Sequence, residues 1–311
     1  MVQRAEIEGV STMYAFIIII IALNSTFFMI PYHHYKKKKN IILINTVESK
    51  NSFISYVIID GTVYIVKQKK DETKLLSIVR DALAAYIAQD LCVAHSAKII
   101  PAKENFPGKK YARSPGVILS IAAGDTVRSQ PESKYHNLCL KQRKPDGDLL
   151  PNRWLTETII HQMTWHKQLP VIIGLDLFIG NTDRHGGNLF YDPKTDSFCA
   201  IDMDNIFRRD LPALAYKKLK LMIHNKKQFT REEIAALISV RNTILFLLDS
   251  YSIKDLIAKL HFFIKEVDFP QAVLRSEKMI KKITRHETMI MQSRRSLYKL
   301  IKILNEIVVN I

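Results

Sequence analysis

The chain has 311 residues, 47% of them hydrophobic, with 46 Lys and Arg against 30 Asp and Glu and a formal charge of +16. That apolar content excludes a disordered polyelectrolyte and is enough to bury a sizeable core, as one two-lobed domain or two small ones. Cys92, Cys139 and Cys199 are widely scattered and form no CxxC pair, which excludes a disulfide framework or structural zinc and reads as core thiols in a reducing compartment.

Met13 to Leu23 is almost wholly apolar, and Phe27 to Tyr32 resumes the run after Asn24, Ser25 and Thr26. Residues 13–32 are therefore just long enough to cross a bilayer as a hydrophobic helix. Lys36 to Lys39 follow, so the positive-inside rule puts the rest of the chain on the cytoplasmic side of the membrane. Two other readings stay open: a signal peptide, although Arg4 is offset by Glu6 and Glu8, and a helix packed on the protein's own surface. The first reading makes 1–40 an anchor; the others make the chain a soluble cytoplasmic protein or a secreted effector.

Ile41 to Val47 and Phe53 to Ile59 are short Ile- and Val-rich segments separated by the polar turn 48–52, and Asp60-Gly61 makes a hairpin turn into Thr62 to Gln68. Three antiparallel strands are predicted. The period of two sets Val63, Ile65 and Lys67 on one face of the third, while Lys69 and Lys70 read as solvated lysines at its end. Asp71 to Cys92 carries Leu75, Ile78, Val79, Leu83, Ile87 and Leu91 at helical spacing, with Asp71, Glu72, Asp81 and Asp90 as its acids. Asp81, in mid-helix, is one of several acids able to reach back to Lys67. Ala97 to Pro101 and Gly116 to Ile121 are predicted strands, Ala122-Ala123-Gly124 a hinge to a second lobe, and 129–151 a polar linker or insertion.

From Arg153 onward the pattern turns helical. Leu155 to Lys167 and Val171 to Ile179 flank Pro170, which is expected to break or bend the run between them. Thr230 with Glu233 makes a capping box, Ser252 with Asp255 starts another helix, and Gln271 to Val309 is a long basic amphipathic stretch. His161 and His166 read as residues on a helix surface.

The chemistry is concentrated in Asn181-Thr182-Asp183-Arg184-His185-Gly186-Gly187-Asn188 and in Ile201-Asp202-Met203-Asp204. An Asp, an Asn five positions later and a further Asp at the end of an apolar strand are the minimal set for phosphoryl transfer. Asp183 would orient the attacking hydroxyl and take its proton. Asn188 and Asp202 would offer oxygen ligands to a hard cation. Leu189 to Tyr191 and Phe198 to Ile201 are predicted to pair as a hairpin, bringing both ligands to one end.

The Asp-Arg-His-x-x-Asn loop and the following Ile-Asp resemble the catalytic and metal-binding segments of the phosphatidylinositol 3- and 4-kinase group, and the preceding Asn-Thr is similar to bacterial HipA-type serine/threonine kinases. The close match covers 175–207. It implies an α+β, bilobed kinase-like fold: a small antiparallel lobe over 41–125 and a mainly helical lobe with a helical extension over 126–311. It also implies ATP with Mg2+ or Mn2+, Asp183 as catalytic acid/base, Asn188 and Asp202 as metal ligands, Lys67 as phosphate contact with Asp81 as its partner, and Arg184 and His185 as braces of the loop.

Two features depart from that pattern. Met203-Asp204 stands where Phe-Gly is usual, so Asp204 is either a second metal ligand or the mark of a different resting geometry. The turn 48–52 has no glycine, and Ser49 and Asn51 are assigned to the nucleotide phosphates because both tolerate turn conformations.

The charge predicts an anionic partner. Arg208, Arg209, Lys217, Lys218 and Lys220 follow the metal motif, where an acidic peptide or an inositol lipid headgroup would be drawn, and the lysine run suits an anionic membrane surface. No nucleic-acid-binding signature is present. The expected acceptor is serine or threonine of a protein, with an inositol lipid, a pseudokinase binding module and nucleotidyl transfer as rivals.

Overall fold

The computed structural model describes residues 41–48, 52–69, 76–110, 114–136, 138, 155–268 and 271–309. The hydrophobic segment 13–32, the lysine run, Ser49, Asn51 and Cys139 lie outside these residues. The fold is α+β, an antiparallel sheet with one helix followed by a mainly helical part.

The sheet holds β1 (Ile41–Glu48), β2 (Ser52–Ile59), β3 (Thr62–Lys69), β4 (Ala97–Ile100) and β5 (Gly116–Ser120), in the order β1-β2-β3-β5-β4. All pairings are antiparallel. Asp60 and Gly61 both take positive φ, the conformation of a type I′ hairpin, so the Asp-Gly turn sets the β2–β3 register. That register makes β3 central and puts Lys67 between Ile54 and Val117. Helix α1 (Leu76–Ala88) is apolar on nearly every side, as a helix buried all round must be. It packs on β4 and β5 and on the helix Ile253–Glu266 of the second part.

That part contains β6 (Asp125–Thr126), α2 (Glu157–Met163), α3 (Gln168–Ile179), β7 (Leu189–Asp192), β8 (Ser197–Ala200), α4 (Leu211–His224), α5 (Arg231–Ser250), α6 (Ile253–Glu266), α7 (Gln271–Leu274) and α8 (Glu277–Val309). β7 lies between β6 and β8 in a second small sheet. Gly124, with φ +79, leads into it: a Cβ there would sit 2.1 Å from the Tyr191 carbonyl oxygen, so the approach of β6 to β7 requires glycine. The Thr230 capping box forms as the sequence predicts, and the helix start read at Ser252 is a second one. Arg294 on α8 donates to the carbonyls of Leu248 and Tyr251, satisfying the C-terminal end of α5. One continuous core links α1 with α3, α5 and the apolar face of α8, including Leu83, Ile172, Leu237 and Leu300.

Several local expectations are corrected. Pro170 does not break a helix but sits in the first turn of α3, where an absent N–H leaves no intrahelical bond unmade; the chain turns at 164–167 instead. His166 is buried against Phe198 and Tyr135, and Cys92 is exposed, not packed in the core. Among the described residues no single helix is long and apolar enough to cross a membrane.

Candidate active site

Two strand ends and one helix meet at the site. β3 delivers Lys67, which is buried and donates to Asp81 on α1 at 3.0 Å and to Asp202 just beyond β8 at 2.5 Å. Asp81 lies fully buried within α1. β8 is fixed from the other side: the Ala200 N–H donates to the Val93 carbonyl at 2.7 Å, and the Ala200 carbonyl accepts from the His95 N–H. The chain after α1 therefore holds the end of β8 where Asp202 can reach β3. Asp202 takes φ +50, a conformation in which Asp is one of the few tolerated non-glycine residues.

Asp204 enters the same group. Its Oδ2 lies 2.6 Å from Lys69 Nζ and 3.9 Å from Lys67 Nζ. Lys69 is thus not the solvated strand-end lysine that the sequence suggests; it is 7% exposed and on the same face as Lys67. Asp81, Asp202 and Asp204 each bring one carboxylate oxygen within 4.8 Å of the others.

The electrostatics follow from this crowding. Burial works to lower the Lys67 pKa, but Asp81, Asp202 and Asp204 together raise it well above the lysine range, so the ammonium stays charged. The Asp81 carboxyl is pushed up to about 6, first by burial and then by Asp204 and Asp202, with Lys67 acting against the rise. Burial would raise Asp202 too, but Lys67, Lys69 and the Lys67 hydrogen bond hold it below the usual carboxylate range. His95 is pushed down to about 4 by burial and by Lys67. Its Nδ1 faces the Ala200 carbonyl at 3.2 Å, which can only accept, so neutral His95 carries its proton there and leaves Nε2 buried without a partner.

The loop 181–188 is braced from beneath. Arg184 is fully buried; its Nε and Nη2 fork onto Asp176 of α3 at 2.9 and 3.0 Å, and its Nη1 donates to the carbonyls of Asn188 at 2.5 Å and Ile201 at 3.0 Å. One side chain therefore ties α3, the loop and the chain leading to Asp202. Asn181 adds a bond to Asp176 at 2.7 Å and accepts from the Asp183 N–H at 3.1 Å. His185 Nδ1 accepts from the Gly187 N–H, closing the loop on itself. Asn205 donates to Asp183 Oδ2 at 3.2 Å, which couples the Asp183 carboxylate to the segment that follows β8. Asn188 is buried; its Nδ2 donates to the Asp183 carbonyl at 2.8 Å, turning its amide oxygen away from that bond.

A hard divalent cation fits this chemistry. The donor set is all oxygen, and Asp81 Oδ1 is buried with no hydrogen-bond partner, an arrangement costly without a ligand. The sequence alone makes Lys69 a solvated strand-end lysine and gives Asp176, Asn181 and Asn205 no role. For Lys69 the period-two spacing from Lys67 was the available signal, and for Asp176 its place as the lone acid in an apolar helix.

No family model matches the chain, and no curated protein matches it. Among solved structures it is similar to the Helicobacter pylori proinflammatory kinase CtkA, at 13% identity and a TM-score of 0.46, over 88% of this chain and 98% of that one. It is also similar to a chain of the Shewanella oneidensis MR-1 toxin antitoxin complex of HipA, HipB and operator DNA, at 11% identity and a TM-score of 0.39, over 85% of this chain and 66% of that one.

Proposed function

We propose that the chain is a kinase-like phosphotransferase that passes the γ-phosphoryl group of ATP to a hydroxyl, with serine or threonine of a protein as the leading acceptor. One observation carries the reading: Lys67 of the sheet joins Asp81 of α1 to Asp202 of the second part, across 14 and 135 residues of sequence. A buried ammonium held between a helix acid and a strand-end acid is what phosphate positioning requires.

In this reading the Lys67 ammonium contacts nucleotide phosphates, with Asp81 fixing its direction. Asp202 and Asp204, with Asp81 beside them, would hold Mg2+ or Mn2+, and Asn188 would offer an amide oxygen from the loop. The cation, when bound, neutralises phosphate charge. The Asp183 carboxylate, oriented by Asn205, accepts the proton of the acceptor hydroxyl as its oxygen attacks phosphorus and the bond to the ADP oxygen breaks. Arg184 keeps the loop in register.

A second acceptor is favoured by a specific observation. Arg208, Arg209, Lys217 and Lys220 are exposed just beyond the metal motif, a surface that suits an inositol phosphate headgroup. Attachment through residues 13–32 would keep such a site at a membrane, and deleting 1–32 would then release the protein from the membrane fraction; unchanged partitioning rejects the anchor.

Purified protein given γ-labelled ATP, with basic and acidic proteins or phosphoinositide vesicles in separate reactions, tests the assignment. Label is expected in protein, and Asp183→Ala should lower the rate by at least about 100-fold. Label in vesicles alone would move the acceptor to lipid. Equal labelling by wild type and Asp183→Ala would overturn the mechanism, and nucleotide binding without any transfer would leave a pseudokinase.

A further inference from the structure

Lys69 is a second ammonium in the site, and nothing in the mechanism above uses it. It lies two residues beyond Lys67 on the same face of β3, is 7% exposed, and its Nζ is 2.6 Å from Asp204 Oδ2. A buried lysine with one partner is held by that partner. The partner is itself one of three carboxylates whose oxygens crowd within 4.8 Å. Three carboxylates so close repel one another strongly. Lys67 and Lys69 are the cations that offset this: Lys67 spans Asp81 and Asp202, while Lys69 takes Asp204.

We infer that Lys69 is a positioning residue that occupies Asp204 as a surrogate cation in the metal-free protein and turns to the nucleotide phosphates when a divalent ion claims that carboxylate. The inference rests on the phosphotransferase reading. Formal charge supports it. These five side chains sum to −1, which a divalent cation brings to +1, a sign that attracts a polyphosphate, and buried Arg80 adds positive charge near Asp204 and Asp81. A lysine has a flexible four-carbon stem and a point charge, suited to moving between two oxygen partners as an arginine fork is not. Asp204 stands where the related kinase pattern has glycine, so the acid and its lysine form one departure with two halves.

The consequence is a pair of opposite effects. Lys69→Met removes the competitor for Asp204 and one positive charge beside it, so nucleotide-free Mn2+ binding should tighten at least about tenfold. The same variant loses a phosphate contact, so ATP binding in the presence of Mn2+ should weaken about tenfold. A salt bridge that only supports the fold would not move the two in opposite directions. Electron paramagnetic resonance of free Mn2+ measures the first and calorimetric titration of ATP the second, on the full chain. Lys69→Arg keeps the charge and should stay within about threefold of wild type for free Mn2+. If Lys69→Met fails to fold, Asp204→Asn serves instead: with its partner's charge gone Lys69 is freed, so ATP binding in excess Mn2+ should weaken less than in Asp202→Asn. Unchanged or weaker Mn2+ binding by Lys69→Met, or equal losses in the two Asp variants, overturns the inference. Wild-type protein that binds neither Mn2+ nor ATP overturns the phosphotransferase reading and this inference with it; wild type that binds both with an unaltered Lys69→Met overturns only the role of Lys69.

Discussion

The loop that carries Asp183 and the cluster around Lys67 are both made of charged side chains, yet they are completed in different ways. In the loop, Arg184 is fully buried and makes four hydrogen bonds, two to Asp176 and two to backbone carbonyls. In the cluster, Asp81 Oδ1 has no partner, the Asp202 side chain is 42% exposed, and carboxylates outnumber ammoniums. A buried pair that satisfies itself is scaffold, whereas an idle carboxylate oxygen within a cluster of acids has the capacity to take a cation. Substitutions in the first should be read in stability, and substitutions in the second in binding and rate.

The largest expected effect is in the loop. Arg184→Met leaves Asp176 charged and buried without its counter-ion, which should cost about 3 to 5 kcal/mol. In a domain of this size that lowers Tm by roughly 10 °C. Asp176→Leu added to it should restore part of the loss, since two apolar groups replace two unpaired ones. A calorimetric Tm within 2 °C of wild type for the single variant would break the comparison.

The next effect is acid sensitivity. Buried His95 and His286 are each pushed down to about 4, by burial first and then by Lys67 and Arg80 respectively. A base with a depressed folded-state pKa binds more protons when unfolded. Its stability contribution is therefore present above about 6.5 and lost as pH falls toward 4. His286 accepts from Arg80 Nη1 through Nε2, because arginine only donates, and so ties α8 to the residue beside Asp81. Each histidine should cost roughly 2 to 3 kcal/mol between pH 7 and 4.5. Asp81, raised to about 6, runs the other way: the fold gains as it protonates below that value. Urea midpoints at the two pH values should show a smaller acid loss in His286→Gln and a larger one in Asp81→Asn. The same loss in all three proteins would refute the assignment.

Asp81→Asn also sharpens the contrast at neutral pH. It should change stability by no more than about 1 kcal/mol, because a desolvated charge is removed along with its attraction to Lys67. Phosphoryl transfer should nonetheless fall about 10- to 100-fold. A stability loss as large as that of Arg184→Met would make the cluster scaffold too. The smallest effect is a control remote from both regions: Thr230→Ala removes the N-cap of α5 and should cost about 1 kcal/mol with transfer unchanged.

Local chemistry was legible in the sequence wherever one short segment decides it. The Asp60-Gly61 turn, the Leu189–Ala200 hairpin, the Thr230 box and the Ser252 helix start all depend on neighbours in sequence. What escaped depends on tertiary partners. Lys69 reads as solvated until Asp204, 135 residues away, is set opposite it. Asp176 reads as an oddity in an apolar helix until Arg184 folds back onto it. Pro170 reads as a breaker unless the first turn of the helix is known to start two residues before it. His166 reads as a surface residue until Phe198 and Tyr135 close over it. In the candidate site, the Asp183 loop and Asp202 stood out by spacing, whereas the grouping of Asp81 with Asp202 and Asp204 exists only through the packing of α1 against the end of β8.

The central claim is that Lys67, Asp81, Asp202 and Asp204 form one cation-dependent nucleotide site, and calorimetric titration of a non-hydrolysable ATP analogue into wild type and Asp202→Asn, with and without Mg2+, tests it most directly. The account predicts saturable, Mg2+-dependent binding by wild type and at least about tenfold weaker binding by the variant at an unchanged Tm. Binding of the same strength in both proteins, or independent of Mg2+, would contradict it.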